Sequence, residues 1–219
     1  MSLSCLPCLL LASCVVEVHD TSERVSVQEP FDRVVVALDS GDVTLNGGGA
    51  ESVTVRADLA WVGGACPTWD AWVEDGTLYV EGGCQEPALG WCAVDIQAEL
   101  PAGLPVEIRT GSGDVGIEGL GSAQVETGSG DVEVLDGAVA VDVESGSGDL
   151  VVEMAAPFDR IEGRTGSGDV DLTVPAGAYV LDLDTGSGGV DIQRVACDSE
   201  AVSLIRVRTG SGDITLTGR

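Results

Sequence analysis

Hydroxyls and carboxylates recur together in one short motif, and these are the groups from which nucleophiles and cation sites are built. The motif reads Thr110-Gly111-Ser112-Gly113-Asp114-Val115. It returns at Thr127 to Val132, Ser145 to Leu150, Thr165 to Val170, Thr185 to Val190 and Thr209 to Ile214, with starts 17, 18, 20, 20 and 24 residues apart. A serine nucleophile needs a base beside it, yet His19 is the only histidine and stands well outside the repeats. The motif is not the Gly-x-Ser-x-Gly elbow of hydrolases. Nor is it a phosphate cradle, since no lysine follows and the chain carries a net charge of −27. The repeated serines therefore read as structural, and the chain as non-enzymatic. The aspartates Asp114, Asp131, Asp149, Asp169 and Asp213, with Gly189 in the remaining place, allow two chemistries. Each could cap backbone amides of its own turn, or a calcium ion could bridge successive turns at Asp114, Asp131, Asp149 and Asp169. Calcium-binding nonapeptides place the aspartate one residue later and hold a second aspartate column, so capping is preferred and no metal or other cofactor is assigned.

These residues must be positioned by whatever repeats with them. Counting from the opening Thr or Ser of each motif, the fourth residue before it is Val106, Ala123, Val141, Ile161, Leu181 or Ile205. The second before it is Ile108, Val125, Val143, Gly163, Leu183 or Val207. Valine, leucine or isoleucine follows five and seven places after it, as in Val115 and Ile117 or Ile214 and Leu216. This period-two alternation marks strands with one inward face. A unit is strand, Gly-Ser-Gly corner, strand, the glycines allowing backbone angles closed to other residues. A period near twenty predicts an all-β, parallel β-solenoid (β-helix-like) with about six regular C-terminal coils, like stacked on like. Antiparallel hairpins tipped by the motif are the competing topology. Stacking in chain order would make a turn ladder of Gly113, Asp114, Gly130, Asp131, Gly148, Asp149, Gly168, Asp169, Gly212 and Asp213. Outside the sheet it would pair Arg109 with Glu126, Glu144 with Arg164, and Asp184 with Arg208. It would also leave the coil ending at Arg219 as an open final rung, able to dock another copy edge to edge as a homo-oligomer.

The rest of the chain divides as 1–14, 15–29, 30–100 and 101–219. Residues 1–14 form a short apolar stretch ending Leu11-Ala12-Ser13-Cys14, which resembles a bacterial lipobox with Cys14 as the lipidated residue, though no cation precedes it. Val15 after that cysteine suits an outer-membrane lipoprotein. Residues 15–29 read as a tether or irregular first strand, with His19 solvated. Residues 30–100 form an irregular N-terminal β cap holding Trp61, Trp69, Trp72 and Trp91, while the degenerate turn Asp39-Ser40-Gly41-Asp42-Val43 shows that the architecture begins before residue 100. Cys66, Cys84, Cys92 and Cys197 suggest two disulfides in an exported chain. Three pairings are open. Cys84–Cys92 is favoured because it closes a short loop, which leaves Cys66 with Cys197. At 44% hydrophobic residues the chain can bury a core, and with 4% aromatics and 31 glycines the core must be thin and β-layered. The charge repels nucleic acid and anionic lipid surfaces, so membrane contact would come through the N-terminal lipid alone.

The run Val94-Asp95-Ile96-Gln97-Ala98-Glu99-Leu100-Pro101-Ala102-Gly103, followed by Val106 to Ile117 and the repeated Thr-Gly-Ser-Gly-Asp-Val, resembles the bacterial putative-adhesin domain of unknown function. The resemblance spans roughly residues 30–219 and departs from the simple pattern over 61–92. It implies an exported, adhesin-like or scaffolding envelope protein with an unidentified envelope or surface partner and no catalytic residues.

Overall fold

The computed structural model describes residues 17–49, 52–63, 66–84, 90–136 and 139–219, and among these every regular element is a strand. The lipobox with Cys14 lies outside the described residues. The N-terminal part supplies β1 (Val18–Val27), β2 (Arg33–Leu38), β3 (Val43–Gly48), β4 (Val53–Val62), β5 (Thr68–Glu74), β6 (Thr77–Gly83) and β7 (Trp91–Pro101). The repeats follow, two strands to a unit: β8 (Val106–Thr110) with β9 (Val115–Glu118), β10 (Ala123–Thr127) with β11 (Val132–Leu135), and β12 (Ala140–Ser145) with β13 (Leu150–Glu153). Next come β14 (Arg160–Thr165) with β15 (Val170–Val174), β16 (Gly177–Thr185) with β17 (Val190–Gln193), the short β18 (Val195–Cys197), and β19 (Leu204–Thr209) with β20 (Ile214–Gly218).

These strands form two mostly parallel sheets that face each other across a shared core, a β-solenoid-like arrangement. The first sheet runs β1-β4-β7-β3-β9-β11-β13-β15-β20-β17, and the second runs β18-β16-β19-β14-β12-β10-β8-β2-β6-β5. Each repeat crosses from the second sheet to the first through its glycine corner. Parallel register sets like on like: Ala123 lies beside Val106 and Val141, and Val132 beside Val115 and Leu150. The inward columns are buried almost completely except in β16 and β17, and outward neighbours alternate with them. Gly163, the one break in those columns, has a volume reason. A Cβ there would lie 2.6 Å from the Leu150 side chain, so glycine on one sheet makes room for leucine on the other.

Several expectations need correction. The repeats do not stack in chain order: β19 lies between β14 and β16, and β20 between β15 and β17. The coil before the last is therefore outermost, and the one ending at Arg219 is internal. The segment from residue 194 to 203 is long because the chain must return past β16 and β17 to enter that gap. Arg208 consequently has Arg164 on one side and Asp184 on the other, and its guanidinium turns to Asp182 at 3.3 Å instead of Asp184. Arg109–Glu126 and Glu144–Arg164 form ion pairs at 3.1 and 2.7 Å.

Much of the span taken as an irregular cap is regular. β2 and β3 stand in register with β8 and β9, and β6 and β7 continue the parallel stack. Only β1, β4 and β5 are antiparallel additions. The span read as a tether or irregular first strand holds the regular β1, whose His19 is exposed and stacked on Trp61 with ring centroids 5.3 Å apart. Cys84 and Cys92 form a disulfide at the corner between β6 and β7, where the other units use glycine. Cys66 and Cys197 are free and exposed, not paired. One precedes β5 and the other ends β18, at opposite edges of the second sheet, so no disulfide can span them.

Candidate functional site

The corner motif is the most repeated feature of the surface, and each of its residues has a separate task. The opening Thr or Ser points inward and is buried at Thr110, Thr127, Ser145, Thr165 and Thr209 and half-buried at Thr185 of the outer coil. Its hydroxyl donates to a glycine carbonyl of the adjacent rung at 2.8–3.4 Å: Thr110 to Gly41, Thr127 to Gly113, Ser145 to Gly130, Thr165 to Gly148, Thr209 to Gly168 and Thr185 to Gly212. A buried carbonyl without a partner is costly, so this column satisfies the corner. The two glycines are needed for different reasons. Only the second, as in Gly130 at φ 143° and Gly148 at φ 142°, occupies backbone space that favours glycine. The first, as in Gly128, is needed because a Cβ would fall on the Gly111 carbonyl of the next rung.

The aspartates do cap amides, but those of the neighbouring turn. The Asp42 amide donates to Asp95 Oδ1, Asp114 to Asp42, Asp131 to Asp114, Asp149 to Asp131, Asp169 to Asp149, Asp213 to Asp169 and Gly189 to Asp213, all at 2.7–2.9 Å. One line of charge-assisted hydrogen bonds thus runs along the stack. Asp42 and Asp95 belong to this line although neither lies in a complete motif. Gly189 is the outermost turn in space, where no further amide needs a carboxylate. Asp95 starts the line at the other end. Burial, then the charges of Asp42 and Asp58, hold its carboxyl above the usual aspartate range, against the lowering effect of the Asp42 amide.

The serines of the motif are exposed at the corner and have no base near them, because His19 lies on β1 at the N-terminal edge of the first sheet. Among the described residues, no three His, Cys, Asp or Glu side chains are grouped to hold a metal ion. The carboxylates Asp114, Asp131, Asp149 and Asp169 stand in single file, each engaged through one oxygen.

The two outer faces differ in charge. Arg33, Arg109, Arg160, Arg164, Arg206 and Arg208 all lie on the second sheet, where Glu107, Glu126, Glu144, Glu162 and Asp182 neutralise most of them. The parallel repeat strands of the first sheet, β9, β11, β13, β15, β17 and β20, contain no cation. Their outward residues include Glu118, Glu133, Glu153, Asp171 and Asp191, flanked by the aspartate line, and Arg219, just past β20, pairs with Glu153 at the edge of this face. This arrangement is a flat anionic face backed by a face of balanced charge.

Fold and surface together define a repetitive two-sheet β protein with a stiff, polarised exterior. Residues 93–217 match the Toastrack DUF4097 family, and the chain belongs to that family, a domain of unknown function. Similar solved structures include a putative cell adhesion protein from Clostridium sporogenes, 13% identical with a TM-score of 0.50, covering 92% of this chain and 100% of that one. A putative adhesin from Bacteroides fragilis is 10% identical with a TM-score of 0.46, covering 92% and 97%. A putative lipid binding protein from Parabacteroides distasonis is 9% identical with a TM-score of 0.38, covering 90% and 95%. At these identities the first shares the fold. No curated protein matches the chain.

Proposed function

We propose that this is a non-enzymatic envelope protein, lipid-anchored at Cys14, that acts as an adhesin-like or scaffolding surface. The observation that carries the proposal is the cation-free face of the repeat strands in the first sheet. It carries carboxylates on every second strand of each outward column, about 10 Å apart, with Val151 between Glu133 and Asp171 and Leu135 between Glu118 and Glu153, on a rigid frame. Such a face makes many weak contacts with a basic surface, and their sum gives avidity that one contact could not. The fold shared with a putative cell adhesion protein and the Cys84–Cys92 disulfide, which suits an oxidising compartment, support the same reading.

Two measurements test it. The unaltered protein should fractionate with membranes, outer membrane in particular, and Cys14→Ala should become soluble; a soluble unaltered protein would sink the anchor. Cells displaying the protein should attach to a polylysine-coated surface. The double change Glu133→Lys with Asp171→Lys on the first sheet should reduce that attachment severalfold, while Arg164→Gln on the other sheet should not. Equal effects from both faces would remove the face-specific role.

A further inference from the structure

We infer that the outer coil, β16 and β17, is a self-complementary interface that joins two copies of this chain tail to tail as a closed dimer. This inference does not rest on the adhesin-like reading; it rests on how differently the two ends of the stack are finished.

At the N-terminal end, β1 and β5 are antiparallel additions. Trp69, Ala71 and Val73 of β5 pack against the core, and β1 presents His19, Asp20, Glu23 and Arg24 at its edge. Charges on an edge strand discourage further pairing. At the other end, among the described residues, β17 has a strand neighbour only on one side, and all of its residues are exposed. Val190 and Ile192 continue the inward columns of Ile214 and Leu216, yet each is 43% exposed where Ile214 and Leu216 are 0%. The core is cut across at this point, not closed. On the other sheet, the three-residue β18 covers only the start of β16.

Any strand that completes this edge must alternate apolar and polar residues at the same spacing, and β17 itself does so. Because only one end is open, a second copy must meet it through the same surface. That contact is isologous and closes at two subunits. The aspartate line agrees. Gly189 offers no carboxylate to a further parallel turn, so nothing in this corner supports head-to-tail continuation, and two anionic corners are not brought together.

Facing constraints select the register. Directly opposed residues must point to the same side of the sheet. With Ile192 on the two-fold axis, it meets Ile192 of the second copy, and Asp191 lies opposite the second copy's Gln193. Centring on Asp191 would oppose two carboxylates. The end face measures about 20 Å by about 20 Å, on the order of 400 Å² per copy. That is about half the usual share of a stable interface, so the dimer is reversible and forms at micromolar or higher concentration. A net charge of −27 on each copy opposes association, and salt therefore strengthens it.

Sedimentation velocity of the full chain under reducing conditions, over a concentration series at low and high salt, tests the inference. A monomer–dimer equilibrium that tightens with salt is expected. Ile192→Lys should raise the dissociation constant at least tenfold without lowering the melting temperature of the monomer, and Val18→Lys at the opposite end should leave it unchanged. A second reading is Ile192→Cys with Cys5→Ser, Cys8→Ser, Cys14→Ser, Cys66→Ser and Cys197→Ser, which leaves only the paired Cys84 and Cys92 besides the new thiol. Treated with a small-molecule disulfide, which is reduced as the two thiols join, this variant should give a covalent dimer. A strict monomer, open-ended polymers, a dimer indifferent to Ile192→Lys, or no cross-link at that position would each overturn the inference.

Discussion

At the scale of single residues, the corner glycines offer the sharpest contrast. Gly130 has positive φ, and a Cβ on it would fall on the Gly113 carbonyl, whereas a Cβ on Gly116 would meet nothing within 4 Å. Gly130→Ala should therefore destabilise by about 2–6 kcal/mol, summing backbone strain and overpacking. Gly116→Ala should stay within about 0.5 kcal/mol of the parent; urea unfolding of the two variants side by side checks both. Asp131 tests the carboxylate line. Asp131→Asn keeps an acceptor for the Asp149 amide and removes a charge from a like-charged row, so stability should hold or rise. Asp131→Ala forfeits the hydrogen bond and should cost about 1–2 kcal/mol. Asp95 differs because its carboxyl is raised, not lowered. A raised carboxyl favours the protonated folded state, so ionised Asp95 works against folding at neutral pH, and that penalty fades as pH falls through the carboxylate range. Asp95→Asn, still able to accept from the Asp42 amide, should be more stable than the parent at neutral pH. Denaturant midpoints should converge in acid; a variant less stable at neutral pH would refute the assignment.

At the scale of elements, the question is which strand lies beside which. The alternation around each corner made the strands, their inward faces and the parallel register legible, because every column repeats the same residue type. The same sameness hid the order of the last two coils, since a strand that fits one gap fits the next. The signals that could have revealed it were few. Gly189 lacks the carboxylate that only a following rung requires, and Arg206 alternates with Glu162 and Asp182 only when β19 lies between β14 and β16, whereas chain order would set Glu162 beside Asp182. The threonine column was legible as a repeat but not as a hydrogen-bonding device, because its acceptors belong to another rung. The pairing of Cys66 with Cys197 rested on elimination, and sequence alone does not place them at opposite edges. Since β19 and β20 already stack on β14 and β15, the outer coil is an excursion that the rest of the stack does not need. Deleting residues 178–201 leaves a link comparable to the short one between β9 and β10. The shortened chain should unfold cooperatively. It should lose about 0.5–1.5 kcal/mol with the Phe158–Tyr179 ring stack, plus part of the burial at Leu181 and Leu183 and the cover that the outer coil gives to Ile205, Val207, Ile214 and Leu216. Loss of a cooperative transition by circular dichroism would show that the outer coil is required to order the inner ones.

At the scale of the whole molecule, charge and architecture pull against each other. Stacked parallel strands place equivalent side chains about 4.8 Å apart, so every repeated carboxylate becomes a row of like charges. On the second sheet arginine interrupts the rows; on the repeat strands of the first, neutral residues space them, Val151 between Glu133 and Asp171 and Leu135 between Glu118 and Glu153, and only the aspartate line at the corner runs unbroken from rung to rung. The amide of each next turn offsets part of this repulsion along the aspartate line, Arg219 donates to Glu153 and Gln193 to Asp191, but Glu118, Glu133 and Asp171 have no such partner among the hydrogen bonds of the described residues. Exposed ion pairs return little, about 0–1 kcal/mol each. Net self-repulsion should therefore dominate the response to salt. At about 0.1 M the screening length is about 10 Å, the span of two rungs, so moderate salt already decouples distant carboxylates. The melting temperature should rise by about 2–6 °C between dilute buffer and half-molar sodium chloride, the equivalent of one to two kcal/mol in a chain of this size. A fall would mean that the ion pairs of the second sheet outweigh the anionic rows of the first. Calcium separates general screening from coordination. With Asp114, Asp131, Asp149 and Asp169 in single file and each bound to an amide, calcium chloride and sodium chloride at equal ionic strength should shift the melting temperature equally. A distinctly larger shift with calcium, abolished by Asp131→Asn, would mean that the free carboxylate oxygens of adjacent turns bridge the ion.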